Sequence, residues 1–165
     1  MAAGAVKPSA AAKNERKGAI VTRIINSDGP GRRRGRCLRA VAEVLKRLAA
    51  KEAVDGEVRD MASFIVFRLR EIAGTVEESA DAWDKRGYWK KAADFQTEWE
   101  WASRSALRLE AVIRTGAWEK LPEIMVELLP HFSGMGINRY TRSGADWDGC
   151  HGRLTGDGGG PGAPE

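Results

Sequence analysis

The chain has 165 residues and a mass of 18.0 kDa, which is room for one domain with a single modest core, so a multidomain enzyme is not expected. Its 42% hydrophobic and 30% charged content is that of a folded globular chain rather than a disordered one. The formal net charge of +4 divides unevenly: residues 1–40 carry ten Lys and Arg against two acids, residues 41–132 carry fourteen against seventeen, and residues 133–165 carry three against four.

In chain order, residues 1–35 read as a flexible basic arm. Lys13, Arg16, Lys17 and Arg23 precede a dense run, Arg32, Arg33, Arg34, Arg36 and Arg39, set among Gly29, Pro30, Gly31 and Gly35. Guanidinium groups that find no internal counter-charge seek phosphates or an acidic face, because each contact releases counterions and forms charge-assisted hydrogen bonds. Lys13, Arg16, Lys17, Arg32, Arg33, Arg34, Arg36 and Arg39 are therefore the candidate nucleic-acid contacts. Within the arm, Ile20, Val21, Ile24 and Ile25 form a short β-branched stretch with no second strand to pair with, so a short helix or a docked segment is expected there.

The helical signal starts at Arg36. Leu38, Val41, Leu45 and Leu48 recur at helical steps on an element expected to end near Glu52. Asp55 is placed to cap the next helix, with Glu57 in its first turn. Val58, Met61, Ile65, Leu69 and Ile72, widened by Phe64, Val66 and Phe67, mark that helix as the central one. Thr75 and Glu78 after Gly74 have capping-box spacing, so the chain either restarts or kinks there. From Tyr88 an unusually regular stripe, Tyr88, Ala92, Phe95, Trp99, Ala102, Ala106, Leu109 and Ile113, predicts a long coiled-coil-like helix closed by Gly116. A last helix is expected over Trp118–Leu129 with Trp118, Leu121, Met125, Leu128 and Leu129 inward, ended by Pro130. Residues 133–154 are expected to lie on the bundle without regular structure, and 155–165 to form a Gly-rich disordered tail. The fold class is all-α: a bundle of four to five helices over residues 36–132, built around a long amphipathic Trp-rich helix.

Motifs for catalysis are missing. There is no phosphate-cradling Gly loop with its Lys and Ser or Thr, no paired CxxC, no HExxH and no nucleophile elbow. Asp81 and Asp84 share a helix face, and Glu98 is another carboxylate within reach of acid–base chemistry, but exposed acids at this spacing are usually solvated. Adjacent Cys150 and His151 near Asp146 and Asp148 lack zinc-ligand spacing, and His131 is expected to sit against the last carbonyls of its helix. No enzyme activity, metal or cofactor is expected.

Six Trp is the sharper feature, with Trp83, Trp89, Trp99 and Trp101 interleaved among Lys85, Arg86, Lys90, Lys91 and Arg104. Trp99 belongs to the packing stripe, while Trp101 is rotated about 200° from it and Trp89 stands one position off Tyr88. Trp89, Trp101, Tyr140 and Trp147 are the candidate anchors for a protein partner, with a homodimer among the possibilities. Neighbouring acids nearly cancel the positive charge around the Trp-rich helix, which suits a mixed-charge protein interface better than a phosphate groove.

Two cysteines more than a hundred residues apart fit a reduced compartment. Met1–Ala12 lacks the apolar core of a secretory signal, and apolar runs such as Ser63–Phe67 and Ile124–Leu129 fall far short of a membrane span. A cytoplasmic protein free of the membrane is expected. The expected role is that of a non-enzymatic helical accessory subunit that docks on a protein partner and contacts RNA or DNA through its basic arm. The alternative is an adaptor or assembly factor acting through the Trp-rich helix without nucleic acid.

Overall fold

Pro30 at the first helical position opens α1, Pro30–Ala49, in a computed structural model that describes residues 28–157. Lys13, Arg16, Lys17 and the Ile20–Ile25 stretch lie outside the described residues. Proline suits this place because its missing N–H is one of the donors a helix leaves unpaired anyway. The helix thus begins six residues before the expected start at Arg36, and Arg32, Arg33 and Arg34 stand on it rather than in an arm. Glycines such as Gly31 and Gly35 weaken a helix by about 1 kcal/mol each relative to Ala. Contacts from Arg33 and Arg34 to the second helix hold these turns in place.

After a short loop, the Asp55 side chain accepts a hydrogen bond from the Val58 N–H at 2.8 Å and starts α2, Gly56–Asp84. This helix runs unbroken through Gly74. Thr75 is not a cap: its buried hydroxyl donates to the Ile72 carbonyl at 2.7 Å, one turn back. Ile72, Thr75, Val76 and Ala80 are all buried on both sides of Gly74, so an interruption would expose core residues to mend a single weak position. As expected, α2 is central, packing on α1, on the third helix and on the last two short helices.

Gly87 takes a left-handed conformation, φ +81°, and turns the chain into α3, Trp89–Thr115. Gly116, φ +70°, ends α3. The buried stripe on α3 consists of Ala92, Ala102, Ala106, Leu109, Val112 and Ile113. Tyr88 is exposed and Phe95 and Trp99 are half-buried, contrary to the expected uniform stripe. The reason lies in α1, whose first turns face Thr75 and Glu78 on α2; the α2–α3 turn extends beyond them and has fewer elements to pack on.

A 3₁₀ turn at Trp118–Lys120 leads into α4, Leu121–Phe132. Pro130 does not end this helix; it lies in its last turn, followed by His131 and Phe132. Leu121, Ile124, Leu128 and Phe132 face inward, and Leu129, expected inside, is 52% exposed, about 100° round the helix from Leu128.

The segment expected to be irregular throughout is so only at its start. Ser143 and Asp146 form a reciprocal capping box on α5, Gly144–Trp147, and α6 covers Cys150–Thr155. Both pack on α2. Trp147, expected to anchor a partner, is a core residue at 2% exposure, its ring edge-on to Phe64 at 6.4 Å. The fold is the all-α bundle that the sequence predicts, and among the described residues there is no strand. No helix among them is long and apolar enough to cross a membrane.

Candidate functional site

Helical geometry divides the arginine run of α1. At about 100° per residue, Arg32, Arg36, Arg39 and Lys46 fall within an arc of roughly 80°, and all four are exposed. Neither Arg32 nor Arg39 has an ion pair among the described residues, while Arg36 stands 3.7 Å from the Asp28 carboxylate. Arg33 and Arg34 point the other way. Arg33 pairs with Glu78. Arg34 donates to the Thr75 carbonyl at 3.4 Å and hydroxyl at 3.3 Å, and its guanidinium lies 4.9 Å from the Phe95 ring centre and 5.2 Å from that of Trp99. Burial holds the Arg34 pKa below the ordinary arginine value. Of the arginines expected to reach for a partner, these two are engaged in the bundle.

One acid interrupts the cationic arc. Glu43 is 2% exposed because residues 141–142 cross over it. The backbone N–H groups of Thr141 and Arg142 each donate to it at 2.8 Å, and the Thr141 hydroxyl and Arg142 guanidinium add contacts at 3.2 Å. Burial pushes the Glu43 carboxyl up, but the N–H groups of Arg142 and Thr141, with their side-chain donors, outweigh it and hold the pKa below the usual carboxylate value. Arg47 donates to the Arg142 carbonyl at 2.7 Å and lies 4.2 Å from the Tyr140 ring centre, and Lys46 donates to the Ile137 carbonyl at 2.9 Å.

Glu43 is thus a buried peg that fastens residues 137–142 across α1. It brings the half-buried Arg142 to a depression that Arg36 also lines, and the same segment carries the exposed Arg139. Neither was expected in the site. The one sequence signal was Glu43 itself, an acid embedded among Val41, Ala42, Val44 and Leu45, where an unpartnered carboxylate would be costly.

The aromatic candidates separate. Trp89 is 73% exposed beside the exposed Tyr88, at the rim of a depression of about 750 Å³ that also includes Trp83, Lys91 and Phe95 at the α2–α3 turn. Tyr140 is exposed but covers Arg47. Trp101 is half-buried between helices, stacked on His131 with ring centres 3.9 Å apart and planes within 8°, and edge-on to Phe132. His131, expected against terminal carbonyls, has this ring contact instead, and burial lowers its pKa. A second apolar face opens between α1 and α4, where Leu48, Val54, Met125, Val126 and Leu129 line a groove of about 420 Å³.

The thiols are poorly disposed to nucleophilic chemistry. Cys37 and Cys150 are free and buried; burial and the Glu71 carboxylate push the Cys37 thiol up to about 11, and burial raises that of Cys150. The His151 N–H donates to Asp60 at 2.9 Å, and the Arg153 guanidinium donates to the Cys150 Sγ at 2.9 Å. Among the described residues, no group of three or more His, Cys, Asp or Glu side chains is placed to hold a metal ion. Compared with protein-family models, curated proteins and solved structures, the chain matches none.

Proposed function

We propose that this chain is a non-enzymatic helical accessory protein that contacts the phosphate backbone of RNA or DNA through the face formed by α1 and residues 139–142, and docks on a protein partner through its exposed apolar surfaces. The observation that carries the first half is the outward arc of Arg32, Arg36 and Arg39, with the buried acid of the same arc, Glu43, already consumed by the chain's own donors. A row of exposed guanidinium groups along one helix attracts a polyanion through counterion release and sets no requirement for base sequence. The second half is supported by Tyr88 and Trp89 at the α2–α3 turn, where aromatic side chains stand in solvent. A cytoplasmic setting suits both.

Fluorescence anisotropy of labelled single-stranded RNA and duplex DNA tests the nucleic-acid half. At physiological salt, Arg32→Glu combined with Arg39→Glu weakens binding by about a hundredfold, because two attractive phosphate contacts become repulsive. Equal binding by the double variant would refute this half. In that case the adaptor reading stands alone, favoured by the exposure of Trp89, and Trp89→Ala removes the partner captured by the unaltered chain.

A further inference from the structure

A polar depression of about 310 Å³ opens beside the cationic arc, where α1, α2 and the start of α5 meet. Four arginines line it: Arg33 and Arg36 from α1, Arg68 from α2, and Arg142 from the segment that crosses Glu43. Two carboxylates stand with them, and both are engaged. Glu71 pairs with Arg68 at 2.8 Å, and Asp146 accepts the Ser143 N–H at 2.8 Å in the α5 capping box. Four guanidinium groups thus share the lining with two carboxylates, and Arg33 and Arg142 also reach Glu78 and Glu43 outside it. The Nε groups of Arg33 and Arg68 are buried donors with no acceptor among the described residues. The Nε of Arg47, which does not line the depression, also lacks an acceptor, so it is the gathering of four guanidinium groups around one space, more than these donors, that suits an anionic oxygen.

We propose that this depression is a seat for a single phosphate group. A guanidinium presents paired N–H donors in a fork that matches two oxygens of one phosphate, and four of them around a partly enclosed space bind more strongly than the same groups spread along an open helix. The volume lies at the lower end for ligand sites, which suits a phosphate with its adjoining sugar and leaves little room for a base or a folded peptide. Its polar lining, with Arg36 shared between seat and outward arc, places it where a nucleic-acid backbone on α1 would deliver a phosphate. That source rests on the function proposed above; the same chemistry would accept a free phosphate compound.

The test is a titration of the full chain with inorganic phosphate against chloride at constant ionic strength, followed by amide chemical shifts, and in parallel a titration with a short single-stranded oligonucleotide. Phosphate shifts amides of residues 33–37, 68–71 and 142–146 together. Arg68→Met weakens this binding at least about tenfold, the factor expected for one charge-assisted hydrogen bond. Arg32→Ala with Arg39→Ala leaves phosphate affinity unchanged while weakening the oligonucleotide. Should Arg68→Met not fold, Arg36→Ala, at an exposed position, takes its place with the same expectation. Shifts spread evenly over all basic residues, or unchanged affinity in the Arg68 or Arg36 variant, overturn the seat whatever the oligonucleotide does. Phosphate seated as described, with no oligonucleotide bound, supports the seat as a site for a free phosphate compound and refutes the nucleic-acid function instead.

Discussion

The two flanks of α1 begin from the same residue type and end in different physics. On one side Arg33 and Arg34 meet Glu78, Thr75, Phe95 and Trp99, and their charge is spent on joining α1 to the α2–α3 hairpin. On the other, Arg32 and Arg39 face solvent with no ion pair among the described residues, and the exposed Arg36 stands 3.7 Å from the Asp28 carboxylate. Density of charge along a sequence therefore does not measure charge available to a partner. What divides the run is the helical repeat, and the helix exists this far toward the N-terminus because the inward pair finds partners.

The largest effect is expected at Glu43, which fastens residues 137–142 across α1. Glu43→Ala leaves Arg142 and two backbone N–H groups without their buried acceptor and frees residues 137–142 from α1. A loss of about 3–5 kcal/mol in unfolding free energy follows, measured by urea denaturation. The sign of the pH dependence is fixed by the lowered Glu43 pKa. The stabilisation is present above the unfolded carboxylate value of about 4.3 and is lost as pH falls through the lower folded value; Glu43→Gln removes that part of the acid sensitivity. A Glu43→Ala chain as stable as the original would show that the crossing segment is not fastened there.

A middle-sized effect separates the flanks directly. Arg34→Ala costs about 1–3 kcal/mol in stability by deleting a half-buried cation over two aromatic rings and its bonds to Thr75, and it changes oligonucleotide affinity little. Arg39→Ala does the reverse, with unfolding free energy within about 0.5 kcal/mol of the original and weaker binding. Matching losses of affinity in the two variants would erase the distinction between inward and outward arginines.

The smallest effect concerns the contact between α3 and α4. His131 stacks on Trp101 and, although exposed, is desolvated enough to lower its pKa, so the unfolded chain takes up the proton more readily than the folded one. Stability from this contact is complete above the unfolded value of about 6.5 and declines as pH falls through it toward the folded value. His131→Phe keeps a ring on Trp101 and flattens that decline in urea midpoints. A midpoint that rises on acidification in the original chain would contradict the assignment.

Much of the fold is legible because it rests on periodicity. The central role of α2, the Asp55 cap and the Gly116 stop all follow from local spacing and backbone chemistry. What the sequence obscures depends on partners distant along the chain. Gly74 and Pro130 read as breaks, yet buried neighbours carry α2 through the first, and the second is tolerated in the last turn of α4. Trp147 and Trp89 look alike in sequence, but one fills the space over Phe64 while the other stands in solvent, because α5 packs on α2 and the α2–α3 turn extends past α1. Half of the candidate site was visible as an arginine run. Arg139, Arg142 and Arg68 were not, since they reach α1 only through the Glu43 crossing and the α1–α2 packing.

The most direct test of the outward arginines as a phosphate-binding face is the dependence of oligonucleotide affinity on salt, measured for the original chain and for Arg32→Ala with Arg39→Ala. Removing two phosphate contacts makes the slope of log affinity against log salt shallower by roughly 1.4 on single strands and about 1.8 on duplex DNA. A slope identical in the two chains, or binding that ignores salt, would contradict it.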